Sequence, residues 1–215
     1  MRKIEKRALT DLVYEQIKRM IRDGIIAPGQ KISKRDLSGD LGVSQTPVNE
    51  AVNRLKGEGL IDQRRRQGFF VKEFTYEDLK NLLEVRAGIE AIAVQLCIEM
   101  QSDQKLDELV RYFDSFQPPL SKKELNRYLK ADRDFHKNLI SLSGNSLLIG
   151  IDNDFDFFLK SHQQGLIRSP EETLKEHREI IEAIKSRDGR KAQELCMLHH
   201  LRSRDVIKEK HLKFS

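Results

Sequence analysis

Four residues of this chain have the types and spacing to hold a metal ion. Asp132 and His136 are four apart, so on a helix they share one face. Leu125, Leu129, Asp132, His136, Leu139 and Ser143 follow a 4-3-4-3-4 spacing, which sets the acid and the imidazole inside an apolar stripe. A carboxylate and an imidazole turned inward need compensation, and a divalent cation supplies it. His177 lies on the stripe Leu174, His177, Ile181, Ile184, and His199 on the stripe Ala192, Leu195, His199, Ser203, Val206. Three helices can therefore aim Asp132, His136, His177 and His199 at one point. Nitrogen-rich ligation with an open position suits Zn, Ni or Mn. His200 competes with His199 for the last place, and the apolar stripe favours His199. His162 and His211 read as surface residues.

Arg86 shares a face with Leu79, Leu82, Leu83, Glu90 and Ala93, so it too points toward a core. One reading is a guanidinium fork for the carboxylate of a small effector. The other is an i,i+4 pair with Glu90 on a partly wet edge. Asn145 either shapes the same pocket or marks a helix end. No catalytic residue is assigned.

The elements that must carry these residues are helices. Thr75 and Asp78 can cap the first, Ser121 and Glu124 form a capping box for another, and Ser169-Pro170-Glu171-Glu172 is a strong start signal. With breaks at Pro118-Pro119 and Gly144-Asn145, the second half reads as about six helices.

The first half differs. A helix is expected from Thr10, its N-cap, to Arg22, with Leu12, Val13, Ile17, Met20 and Ile21 as its apolar stripe. Ser33 caps a short helix from Lys34 to Leu41, Gly42-Val43 make the turn, and Ser44 caps a third helix from Gln45 to Glu58. Leu60-Ile61 and Gly68-Phe69-Phe70-Val71 read as two strands around Arg64-Arg65-Arg66. Helix, helix, tight turn, helix and hairpin make a winged helix-turn-helix, whose third helix can lie in a major groove. The charge agrees: residues 1–72 hold 16 Lys and Arg against 9 Asp and Glu, the remainder 23 against 25. A basic segment on a near-neutral body is the footprint of a nucleic-acid module.

No apolar run is long enough to cross a bilayer, and the start, Met1-Arg2-Lys3-Ile4-Glu5-Lys6-Arg7, lacks the apolar core of a signal peptide. A cytoplasmic protein without membrane partners is expected. The two cysteines, Cys97 and Cys196, read as buried thiols.

Leu41-Gly42-Val43-Ser44-Gln45-Thr46-Pro47-Val48-Asn49-Glu50-Ala51-Val52-Asn53-Arg54-Leu55, then Glu58-Gly59-Leu60 and Gln67-Gly68-Phe69-Phe70-Val71, resemble the DNA-binding domain of the GntR family. Glu84-Val85-Arg86, Asp132 with Phe135-His136, Ser143-Gly144-Asn145, and His177 with Ala183-Ile184, Asp188, Ala192 and His199 resemble the FCD domain of its FadR-like subfamily. The ordered set spans nearly the whole chain.

The resemblance implies a mainly α protein. A winged helix-turn-helix over residues 1–73 precedes an all-α, FCD-like bundle of six to seven helices over 74–215 that binds metal and ligand and dimerises. It implies a homodimeric repressor of operator double-stranded DNA, not an enzyme, that senses a small organic acid beside a divalent metal on Asp132, His136, His177 and His199. Arg86 and Asn145 then serve the effector. Ser44, Gln45 and Asn49 face DNA, with Arg35, Thr46 and Arg54 at phosphates and Arg64, Arg65 and Arg66 in the wing. Family members usually carry arginine where this chain has Gln45 and Asn49, so an altered operator preference is expected. A metal-dependent hydrolase, or a regulator whose metal is purely structural, are the rival readings.

Overall fold

In the first helix, α1 (Arg2–Arg22), Val13, Tyr14, Ile17 and Ile21 are buried. The computed structural model describes residues 2–73, 75–152 and 167–214, in two compact units divided after Phe74. The helix begins at Arg2 rather than at Thr10, whose hydroxyl is not a cap but donates to Glu50 Oε2 at 2.9 Å. Leu12, placed on the apolar stripe by its spacing, is 68% exposed; the buried stripe lies on the neighbouring face and takes in Tyr14.

Ser33 caps α2 (Lys34–Asp40) by accepting from Asp36 N, and Gly42, at φ 64°, makes the left-handed turn into α3 (Gln45–Gly57). Pro47, Val48, Ala51, Val52 and Leu55 turn one face of α3 inward, against α1 and α2. Pro47 fits because it sits in the first turn, where amides lack a helical acceptor. Three antiparallel strands complete the unit: β1 (Lys31–Ile32), β2 (Ile61–Arg64) and β3 (Gly68–Val71), ordered β1-β3-β2. Ile61 pairs with Val71 and Lys31 with Phe70. Strand β1 was not legible in the sequence, because two residues are too few to show a period.

The second unit is helical. Thr75 and Asp78 close a capping box on α4 (Tyr76–Met100), and α5 (Asp103–Val110) runs into a short 3-10 turn, Arg111–Phe113. Ser121 and Glu124 close a second box on α6 (Lys122–Leu142). Residues 146–152 are helical. Ser169 caps α7 (Pro170–Lys185), and α8 (Gly189–Phe214) follows. Helix α8 packs along α4 and against α7, and α4 also meets α6. Phe113, Tyr128, Phe135, Leu139, Leu174, Ile180 and Ile184 form the centre of this core.

Candidate metal centre and nucleic-acid surface

Helices α6, α7 and α8 bring three imidazoles together. His136, His177 and His199 are all buried, each offering a ring nitrogen within 4.8 Å of the others. His136 Nε2 and His177 Nε2 are 3.2 Å apart, and Asp132 Oδ1 lies 3.4 Å from His177 Nε2. Nitrogens ligating one zinc at its usual bond length stand about 3.3 Å from each other in a tetrahedron, so these spacings suit one small cation. Asp132 is the wettest member, with 24% of its side chain exposed.

The far nitrogens decide which way the rings present their lone pairs. His136 Nδ1 donates to Glu90 Oε2 at 2.6 Å, and His199 Nδ1 to Glu176 Oε2 at 2.8 Å. An ionised carboxylate can only accept, so both protons sit on Nδ1. Thr173 Oγ1 gives its proton to Ser169 O and therefore accepts from Tyr128 OH at 2.7 Å. The Tyr128 oxygen then accepts from His177 Nδ1 at 3.1 Å. All three Nε2 atoms are left as lone pairs facing one centre, the arrangement in which outer partners orient metal-binding histidines.

Electrostatics favour neutral rings at His177 and His199. Burial pushes His177 well below the ordinary imidazole range, with His199 and His136 adding to it, and burial lowers His199 as well. Burial alone would raise Glu176, but His199, Arg168 and Arg202 hold it below the ordinary carboxylate range. Arg168 grips Glu176 by two 2.7 Å bonds and Arg202 adds one of 2.6 Å. Burial also opposes ionisation of Glu90, yet His136, His200 and Arg86 hold it well below that range. Phe113 stacks on His177 at 4.3 Å, with Tyr128 and Phe135 beside it, closing that side with apolar surface.

His200 does not join the three imidazoles. It groups instead with Glu90 and His136, its Nε2 2.8 Å from Glu90 Oε2 but out of line for a hydrogen bond. Arg86 donates from Nε to Glu90 Oε1 at 2.7 Å, the pairing read from the i,i+4 spacing, but Glu90 is fully buried rather than on a wet edge. Arg86 Nη2 also stands 4.0 Å from Oδ1 of the buried Asp152. Asn145 Oδ1 accepts from Leu147 N at 3.0 Å and Leu148 N at 3.3 Å, starting the helical stretch 146–152. His162 and the His211 side chain lie outside the described residues.

Sequence reasoning missed Glu90 as the holder of His136, and missed Glu176, Tyr128 and Arg168 altogether. Glu90 carried a signal, a carboxylate among Ala87, Ile89, Ala91 and Ala93. Glu176 carried another: it precedes His177, three residues after Thr173. Arg168 carried none.

In the first unit, Arg35, Ser44, Gln45 and Thr46 are exposed and Asn49 is half-buried. Ser44 makes no side-chain cap bond, so its hydroxyl is not spent on α3. Arg54 is engaged within the unit: it bonds Asp11 at 3.0 Å and Glu58 at 3.4 Å and lies over the Tyr14 ring. Arg64 lies over Phe70 and meets Glu73 at 3.4 Å, while Arg65 and Arg66 are exposed, Arg66 at φ 63° at the hairpin tip.

Residues 9–71 match the bacterial regulatory proteins of the gntR family, and residues 81–203 match the FCD domain. The chain belongs to the gntR family and carries an FCD domain. Among its relatives, the HTH-type transcriptional regulator YdhC of Bacillus subtilis is 27% identical over 190 residues, 86% of this chain and 85% of that one. The HTH-type transcriptional repressor RspR of Escherichia coli is 28% identical over 204 residues, 89% of this chain and 87% of that one. In fold, this gntR-family chain is similar to a GntR regulator from Rhodococcus sp. RHA1, with a TM-score of 0.72 at 21% identity over 93% of this chain and 97% of that one. It is also similar to McbR/YncC of Escherichia coli, with a TM-score of 0.70 at 21% identity over 94% and 98%. The fold is therefore that of this family of regulators, mainly α with a small winged sheet. Among the described residues no helix is long and apolar enough to cross a membrane.

Proposed function

We propose that this family member is a cytoplasmic, homodimeric repressor whose 1–73 domain binds operator DNA and whose 74–215 domain senses a small organic acid at a divalent metal. One observation carries the sensor: three histidine Nε2 lone pairs, their Nδ1 protons all committed elsewhere, face one point beside Asp132. His136, His177, His199 and Asp132 would hold the ion, which would supply a Lewis-acidic centre for an effector carboxylate. Zn, Ni and Mn suit the donor set.

Arg86 supplies the second hold on that carboxylate, through Nη2, which would exchange its 4.0 Å contact with Asp152 for the ligand. Asn145, which caps 146–152, shapes the same pocket. Because Glu90 also holds His136, pulling on Arg86 disturbs a metal ligand. Binding then favours one arrangement of the dimer and so changes the spacing of its two α3 helices. Half-sites lie about 34–36 Å apart or at multiples of that distance, so spacing decides affinity. The effector acts only by binding the two arrangements differently. Ser44, Gln45, Thr46 and Asn49 would face bases and backbone, with Arg35 and the wing arginines at phosphates. Repression is supported by the likeness to RspR, a transcriptional repressor of Escherichia coli.

The hydrolase reading is weaker. Glu90 and Glu176, the acids nearest the imidazoles, are occupied by Nδ1 protons and guanidinium groups, so neither is free as a base. Metal analysis of purified protein, followed by gel-shift titration with small carboxylic acids, tests the proposal. Stoichiometric metal and an acid-dependent change in DNA affinity are expected. Unchanged affinity with every acid on metal-loaded protein defeats the sensor, and turnover of esters or amides would revive the hydrolase.

A further inference from the structure

Helix α3 turns a polar face outward. Its inward face is Pro47, Val48, Ala51, Val52 and Leu55. On a 3.6-residue helix the opposite face then carries Thr46, Asn49, Glu50 and Asn53, with Lys56 and Gln45 toward its edge. Thr46, Gln45 and Asn53 are exposed and Asn49 is half-exposed. The charged residues of α3 are engaged by other side chains. Glu50 is held by Thr10, Arg54 by Asp11 and Glu58, and Lys56 donates to Gln63 Oε1 at 3.1 Å. By contrast, Gln45, Asn49 and Asn53 each keep an amide with no hydrogen bond to another described residue.

Free amides have one favoured target in a major groove. Asn and Gln pair bidentately with adenine N6 and N7, whereas guanine O6 and N7 call for two donors, as arginine or lysine provide. Gln45 to Asn53 spans about 12 Å of helix axis, about the length of four stacked base pairs at 3.4 Å each. We infer that Asn53 is a further specificity-determining residue, and that Gln45, Asn49 and Asn53 together make α3 a reader of adenines in an A·T-rich half-site. This rests on the DNA-binding reading above.

In this arrangement affinity and sequence choice come from different parts of the surface. The cations flank the ridge: Arg35 on α2 and Arg64 to Arg66 in the wing can hold phosphates, which position the unit without reading sequence. The amide ridge then supplies the discrimination, through contacts that salt weakens less.

Selection of the full chain on a duplex pool with a randomised centre, followed by sequencing, tests this. Enrichment of A·T pairs in each half-site is expected. Asn53→Ala should flatten the preference at one of those positions, costing roughly 5- to 150-fold there, with binding to unselected duplex unchanged. Asn49→Arg should move its position toward guanine. Enrichment of G·C pairs, or an Asn53→Ala motif identical to the parent's, overturns the inference while leaving DNA binding intact. Absence of any enrichment and of any duplex binding overturns the DNA-binding reading itself.

Discussion

His136 and His177 meet Nε2 to Nε2 at 3.2 Å, and neither has a proton to offer the other, because His136 gives its own to Glu90 and His177 gives its own to Tyr128. Two lone pairs so placed repel unless a cation stands between them. Metal should therefore stabilise the fold. Dialysis against a chelator should lower the melting temperature by several degrees. Returning Zn, Ni or Mn at 100 times its dissociation constant should restore about 2.7 kcal/mol. His177→Ala should abolish that recovery; an equal thermal response in the variant would place the ion elsewhere.

Glu176 orients His199 while its other bonds go to Arg168 and Arg202. Glu176→Gln keeps the volume, but the charge is lost and Arg168 is left short of a partner. Metal affinity should fall by roughly 10- to 100-fold, the usual effect of losing an orienting partner. Tyr128→Phe removes the acceptor for His177 Nδ1 and should weaken binding in the same direction. Competition with a chromogenic chelator measures both, and parent-like affinity in both variants would show that the rings need no such orientation.

The convergence of Asp132, His136, His177 and His199 was legible in the sequence because each lies on a long helix with a sustained apolar stripe. His199 sits in phase with Ala192 and Leu195, and His200 is one step out of phase, about 100° around the helix. That rotation is enough to send His200 to Glu90 instead. What spacing could not show is how groups from different helices meet: Glu90 of α4 reaching His136 of α6, or Arg168 reaching Glu176 across a turn. Thr10 failed as a cap for a local reason. Helical residues continue upstream of it, and its hydroxyl finds Glu50 from a helix that lies 40 positions away in sequence. Leu12 failed similarly, since only the packing of α1 on α3 decides which of two adjacent faces is buried.

The positive charges around α3 divide into committed and available. Arg54 is bonded to Asp11 and Glu58 and covers Tyr14, whereas Arg65 and Arg66 stand exposed at the hairpin tip. Replacing Arg65 and Arg66 with alanine should weaken DNA binding evenly across sequences. It should also flatten the plot of log affinity against log salt by about 0.9 per lost phosphate contact. Arg54→Ala should leave that slope alone and cost less than about 1 kcal/mol of stability, as exposed pairs do. Fluorescence anisotropy across a salt series separates the two, and a flattened slope with Arg54→Ala would assign Arg54 to phosphate after all.

Cys97 lies fully inside the core, and burial pushes its thiol up to about 11, with Arg187 opposing weakly; burial likewise raises Cys196. The thiolate is the nucleophile, so a raised value suppresses reaction at neutral pH. In the folded chain alkylation should be slow at pH 8 and should rise about tenfold per pH unit toward 11. In denaturant both thiols should react at the rate of free cysteine. The linkage has the same origin: a value higher in the fold than in the unfolded chain stabilises the fold below the unfolded value of 9.0. That contribution fades as the pH climbs to about 11. Rapid labelling of either cysteine at pH 8 without unfolding would show that the core around α4 and α8 opens readily.

Arg86 and Glu90 form the pair on which the proposed sensing turns, since Glu90 is wholly buried and touches both Arg86 and His136. Removing the guanidinium leaves a buried carboxylate with less compensation, so Arg86→Ala should destabilise by about 3–5 kcal/mol, which obscures any effect on ligand. Arg86→Lys keeps the charge but loses the planar fork. This milder variant should fold and retain metal, yet require a higher concentration of organic acid for the same change in DNA affinity. Metal content, melting temperature and the acid titration must be read together. A lysine variant with an unaltered acid response would mean that Arg86 serves only to hold Glu90 against His136.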